Sequence, residues 1–177
     1  YRKAFNNVVS YSRFVELMQL VAMPLYVFLR SMRAGEITGI AFVDSMPLVV
    51  SHNLRIGSHQ VFKGIAARGK TSTGWFFGFK LHIIINEYGE IISFTLTPGN
   101  VSDCNSQVME LLTAKLHGKL FGDRGYISKK LSETLYKKGI SLITRLKNNM
   151  KKKLYTHKDL LLLNKRRVIE SVNHILQ

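Results

Sequence analysis

Ile37-Thr38-Gly39-Ile40-Ala41-Phe42-Val43-Asp44, an apolar run that stops on a carboxylate, decides how the rest of the chain is read. A short stretch of β-branched and aromatic residues following a glycine break has the make-up of a buried strand, Ile37 to Val43, and it delivers Asp44 at its C-terminal end. The arrangement recurs further on, where Lys119-Leu120-Phe121-Gly122 predicts a strand ending at Asp123. Gly122 and Gly125 flank that aspartate and let backbone and substrate come close. Between the two lie Trp75 to Ile85 and Ile91 to Thr97, β-rich runs joined by Asn86-Glu87-Tyr88-Gly89-Glu90, whose Asn and Gly suit a tight turn. Three antiparallel strands follow. Thr97-Pro98-Gly99-Asn100 ends the third, and a helix from about Asn105 to Leu116 leads to the fourth. Ser128 to Lys138 has helical spacing with Gly139 as its stop, and Ile140 to Leu146 reads as a fifth strand. The order is β-β-β-α-β-α-β, an α/β pattern, and a last helix from Asp159 to the end carries Glu170.

Outside this core the signals are weaker. Residues 51 to 74 are basic and glycine-rich without a period and read as a loop or insertion. Tyr11 to Met32 has helical spacing, with Pro24 expected to bend or divide it. The apolar stretch Leu17 to Leu29, interrupted by Gln19 and Pro24, is too short to cross about 30 Å of hydrocarbon, so no membrane partner is expected. The 177 residues, 46% of them apolar, suffice for one core. A net charge of +15, from 26 basic and 11 acidic residues spread along the chain, points to a polyanion, and nucleic acid fits better than a membrane surface. One cysteine, Cys104, excludes an internal disulfide and a cysteine-built zinc site, in keeping with a cytoplasmic protein. The chain opens on Tyr1 and closes on Gln177 inside a helical pattern, and is expected to be a fragment. Residues 1–34 are read as a helical lead-in, the end of a truncated N-terminal DNA-binding region. Residues 35–177 are read as the main domain, expected to be truncated at its C-terminus.

Three of the few acidic residues fall at two strand ends and on a late helix. That distribution suits a site in which two divalent ions hold an attacking oxygen, a phosphate and a leaving oxygen in line, because carboxylates are the ligands hard cations prefer. Each position also has a plainer reading. An aspartate after a strand is often a turn or cap residue, and Glu170 can pair with Arg166 four residues earlier for about 0.3 kcal/mol.

The blocks Ile40-Ala41-Phe42-Val43-Asp44-Ser45-Met46-Pro47-Leu48, Gly74-Trp75-Phe76-Phe77-Gly78-Phe79-Lys80-Leu81-His82, Leu96-Thr97-Pro98-Gly99-Asn100-Val101, Gly122-Asp123-Arg124-Gly125-Tyr126-Ile127-Ser128 and Arg167-Val168-Ile169-Glu170-Ser171-Val172-Asn173 occur in order over nearly the whole chain. Together they resemble the DDE transposases of bacterial insertion sequences, specifically the group named for insertion sequence nine-eighty-two. The resemblance implies a ribonuclease-H-like mixed five-stranded sheet, three antiparallel strands then two parallel, flanked by helices. It carries the two aspartates onto Asp44 and Asp123 and the glutamate onto Glu170, as both catalytic residues and metal ligands. It further implies two Mg²⁺ or Mn²⁺ ions, binding to terminal inverted repeats, nicking that frees a 3′ hydroxyl, and attack of that hydroxyl on target DNA. A homodimer on DNA, in the bacterial cytoplasm and associated with the nucleoid, is expected. Many such transposases carry a basic residue seven positions after the glutamate, where this chain has Gln177.

The expected phosphate contacts are Lys80, Arg124, Lys147, Lys151, Lys152, Lys153, Arg166 and Arg167, with His82 and Asn173 supporting the site. Lys80 and His82 share one face of their strand and could face the phosphate, although a strand histidine is more often structural. Trp75 could stack on an unpaired base but reads better as core. Asp103 reads as a helix N-cap. Two other functions fit the same residues: a DNA-binding remnant without catalysis, and a ribonuclease-H-like nuclease that cuts without joining.

Overall fold

The computed structural model describes residues 9–32, 34–72, 74–145 and 155–176, and the chain divides into two compact units, Tyr1–Ala34 and Gly35–Gln177. In the first, helix α1 (Tyr11–Met32) runs unbroken through Pro24 for 22 residues. Leu20, Ala22, Met23 and Leu25 are good helix formers on either side, and Pro24 does not divide the helix. At 1.5 Å per residue α1 is about 33 Å long. Tyr11–Ser31 is thus long and apolar enough to cross a membrane, by length and composition only, and the length argument made from Leu17 to Leu29 does not hold.

The second unit is built on a six-stranded sheet: β1 (Ile40–Ser51), β2 (Ala67–Thr71), β3 (Gly74–Asn86), β4 (Ile91–Pro98), β5 (Gly118–Gly122) and β6 (Ile140–Thr144). β3 pairs antiparallel with β1 along one side; along the other it pairs with β2 over its first residues and with β4 over the rest. β5 joins β1 in parallel and β6 joins β5 in parallel. Leaving out β2, the strands stand in the order β4-β3-β1-β5-β6, three antiparallel then two parallel, as expected for the ribonuclease-H-like sheet. β2 is the addition. Its stretch, Ala67-Arg68-Gly69-Lys70-Thr71, lacks apolar alternation and so read as loop, yet it is held by the backbone of β3, and a short 3-10 turn, Asn53–Ser58, precedes it.

β1 is longer than the seven residues expected. It continues to Ser51 because β3 goes on pairing with it after β5 has ended, so Asp44 lies within the strand and not at its tip. With one side of the ladder open there, Pro47 costs no partner on β5.

Helices cover both faces. α2 (Ser106–Leu112), capped by the Asn105 side chain, and α3 (Lys129–Lys137), capped by Ser128, pack on the face carrying Ala41, Val43, Ile84 and Leu120. α2 stops at Thr113, short of the expected Leu116. α4 (His157–Lys165) and α5 (Arg167–Leu176) replace the single last helix expected, and Leu163 and Ile169 from them pack on the other face against Phe42, Ile83, Ile85, Phe121 and Ile143. The strand starts are equally tight: Gly118 has φ +87° and a Cβ there would lie 2.4 Å from the Gly39 carbonyl oxygen, so only glycine fits.

Phe42 and Phe121, both fully buried, meet with ring centroids 5.6 Å apart. Phe121→Ala is expected to cost about 3–5 kcal/mol in urea unfolding. Leu111→Ala, at a position 65% exposed, is expected to cost under about 0.5 kcal/mol.

Candidate active site

The last rung between β1 and β5 pairs Phe42 with Phe121. Side chains alternate along extended chain, so the residues two further on, Asp44 and Asp123, come level on the same face as those rings. Asp123 keeps extended geometry, φ −78° and ψ −175°, as it leaves β5. This is the face covered by α4 and α5, and Glu170 lies in the first turn of α5. Asp123 and Glu170 line one cleft of about 410 Å³, together with Gly122, Arg124, Arg145, Leu163, Asn164, Arg166 and Arg167.

Each carboxylate already has a partner. Asp44 Oδ2 accepts a hydrogen bond from Asn173 Nδ2 at 3.0 Å, and Asn173 is itself buried in α5. Asp123 Oδ1 accepts from the Gly125 N–H at 2.7 Å and caps the 3-10 turn Arg124–Tyr126, the plainer role anticipated for it. Glu170 Oε1 takes Arg166 Nη2 at 2.9 Å. Arg166 stands at the joint between α4 and α5, and its carbonyl accepts from Ile169 N–H to open the second helix.

Burial pushes the Asp44 carboxyl up to about 6, and the nearby charges of Asp123 and Glu170 add to this, while Arg166 and the Ser45 backbone pull the other way. The Tyr126 phenol, buried below Gly122, is held well above its usual range by burial and then by Asp103, Asp44 and Asp123. The three acidic groups therefore act on one another before any cation is present.

A hard dication suits the chemistry of this donor set, three carboxylates of which one is half-buried. Among the described residues, however, no three His, Cys, Asp or Glu side chains stand close enough together to hold a metal ion as they are. The Arg166 guanidinium, paired with Glu170 and acting on Asp44, supplies the positive charge.

Of the expected phosphate contacts, Arg124, Arg166 and Arg167 line the cleft. Lys147, Lys151, Lys152 and Lys153 lie outside the described residues. Lys80 is elsewhere. It shares a face with His82, as strand alternation requires, but that face also carries Ser45 and is opposite the one bearing Asp44. Lys80 Nζ donates to the Val101 carbonyl and to Asp103 Oδ1, both at 3.0 Å, and is largely buried. His82 is fully buried against Thr97 Oγ1 at 2.9 Å, and burial lowers its pKa, so it serves packing. Asp103 is not a cap; Asn105 does that work, and Asp103 joins Lys80 to Ser45 Oγ, 2.8 Å away. Trp75 is not core but 59% exposed, with Lys70 Nζ over its ring.

Two cleft residues escaped the sequence reading, Arg145 and Asn164, which are joined by a 2.7 Å hydrogen bond from Arg145 Nη2 to Asn164 Oδ1. A signal for Arg145 existed. Gly122 pairs with Thr144 in the parallel register of β5 and β6, so the residue after Thr144 is the neighbour of Asp123.

A raised folded-state pKa makes a testable difference. Unfolded Asp44 ionises near 3.8 and folded Asp44 near 6, so in that window the folded state holds the extra proton and stability falls as pH rises. Asp44→Asn is therefore expected to stabilise the metal-free protein by about 1–2 kcal/mol at neutral and higher pH. The gain should vanish below pH about 4, where both states are protonated. Urea unfolding across pH in the presence of a chelator measures it, and a gain that persists in acid would count against the ionisation account.

The sequence profile of the transposase DDE domain matches residues 34–177. Among solved structures, a piggyBac transposase synaptic complex with hairpin DNA matches with a TM-score of 0.47 and 11% identity, over 82% of this chain and 32% of that one. A simian T-cell lymphotropic virus intasome in complex with a PP2A regulatory subunit matches with a TM-score of 0.37 and 14% identity, over 76% of this chain and 42% of that one. The chain thus spans between a third and a half of the length of these structures. No match is found among curated proteins. The profile covers the whole sheet, both aspartate-bearing strands and the helix of Glu170, and the chain belongs to the transposase DDE domain family.

Proposed function

We propose that this chain is the catalytic core of a bacterial insertion-sequence transposase of the nine-eighty-two group, acting on DNA at terminal inverted repeats and joining the freed 3′ hydroxyl to target DNA. One observation carries the reading: the parallel register of β1 and β5 sets Asp44 beside Asp123 on the face that the Glu170-bearing helix covers. Asp44, Asp123 and Glu170 would hold two Mg²⁺ or Mn²⁺ ions. Bound there, the ions would polarise the scissile phosphate and stabilise the attacking and leaving oxygens.

The chain's own residues divide the remaining work. Asn173 donates to Asp44 Oδ2 and so holds the carboxylate in a fixed orientation. Arg124, Arg145 and Arg167 give the cleft a surplus of positive charge for backbone phosphates, contacts that position DNA without reading its sequence. Trp75, exposed on β3 with Lys70 Nζ over its ring, would offer an aromatic face to an unpaired base. Two DNA ends must be held together in transposition, which calls for a homodimer on DNA. The bacterial cytoplasm, at the nucleoid, is the place where that substrate lies.

A second reading has one observation in its favour. The Arg166–Glu170 ion pair occupies the glutamate, as it would in a DNA-binding piece without catalysis.

Strand transfer of pre-cleaved transposon ends in Mg²⁺ tests the proposal. Asp44→Asn, Asp123→Asn and Glu170→Gln are each expected to lose about 10²-fold or more, beyond what the loss of a supporting residue costs. A variant that matches wild type removes that residue from the site. Hydrolysed ends without joined product would assign a nuclease. Salt-sensitive DNA binding with no cleavage in either metal would assign the non-catalytic piece.

A further inference from the structure

Arg166 is placed unlike the other arginines of the cleft. Its Nη2 is 2.9 Å from Glu170 Oε1, and its side chain is only 21% exposed. Its other terminal nitrogen, Nη1, is buried and, among the described residues, has no hydrogen-bond partner. The same guanidinium is the strongest attractive charge acting on Asp44. One cation thus serves two carboxylates, and one of its donors is left unsatisfied. Buried donors are nearly always paired in native structures, and a guanidinium N–H at the edge of a cleft is a donor suited to an anionic oxygen.

Resting on the function proposed above, we infer that Arg166 is a built-in counter-ion: a positioning residue that neutralises Glu170 and Asp44 in the metal-free protein and that a divalent cation must displace from them. A guanidinium keeps its proton at every accessible pH, so it competes with the metal throughout. Two cations cannot share these oxygens without repulsion. Once displaced, Arg166 has donors to satisfy, Nη1 among them, and a phosphate oxygen in the cleft is the complementary group. Cation and DNA then help each other: the metal takes the carboxylates, the phosphate takes the arginine, and each favours the other reciprocally.

Calorimetric titration with Mn²⁺ alone, without DNA, reads the competition directly. Arg166→Gln is expected to bind Mn²⁺ about tenfold more tightly than wild type, because a like charge has gone. Arg166→Lys, which keeps the charge, should stay near wild type, and Asp123→Asn should lose the binding. In a chelator Arg166→Gln should melt below wild type, and Mn²⁺ should raise its Tm by more than it raises that of wild type, a pattern that loss of packing alone would not produce. Equal or weaker Mn²⁺ binding by Arg166→Gln, with Asp123→Asn still abolishing it, overturns the counter-ion and leaves the metal site standing. Unchanged binding in Asp123→Asn overturns the metal site itself. Should Arg166→Gln fail to fold, addition of a short DNA duplex to wild type decides, since the inference requires tighter Mn²⁺ binding with DNA present and is overturned by none.

Discussion

Asp44 and Asp123 stand level because β1 and β5 run parallel and share their last rung at Phe42 and Phe121, and once level they repel. Much of the site can be understood as a response to that repulsion. Asp44 resists ionising, Asn173 and the Ser45 backbone supply hydrogen bonds to it, and Arg166 brings a positive charge. Burying like charges side by side costs stability, and such an arrangement belongs to a place where binding will compensate it. The fold holds it in place with the tilted, buried pair Phe42 and Phe121 beneath, and with a strand start at Gly118 that leaves no room for a side chain.

The sheet separates two kinds of polar chemistry by its two faces. On one, Asp123, Glu170 and four arginines line a cleft. On the other, Lys80, Asp103 and Ser45 form a closed set of hydrogen bonds next to buried His82 and Thr97. A buried ion pair of this kind contributes little net stability but is costly to break, so it fixes the backbone of β1 and β3 where Asp44 is mounted.

The transposase DDE domain family describes the whole of this second unit, and the cleft's excess of arginine over carboxylate accords with the charge of +15 carried by the full 177-residue chain. An excess of positive charge suited to a polyanion was legible from composition. The geometry that would make such binding productive was not, since it depends on which basic residues are already engaged. Lys80 and Arg145 make the point: the first carries an available charge in the sequence and is tied down in the fold, whereas the second passed unremarked and lines the cleft.

Local pattern determined the existence and order of the core strands, the hairpin at Asn86 to Glu90, the stop at Gly139 and the acidic residues at the ends of the parallel pairing, because hydrophobic period and turn chemistry are short-range properties. Tertiary structure decided everything that depends on a neighbour. It made a strand of Ala67–Thr71, which has no apolar alternation but meets the free edge of β3. It extended β1 past Asp44, turned Lys80 and His82 to the far face, left Trp75 in solvent and split the last helix at Arg166. Pairing and burial join residues distant in the chain, and no window of sequence holds both members of such a pair.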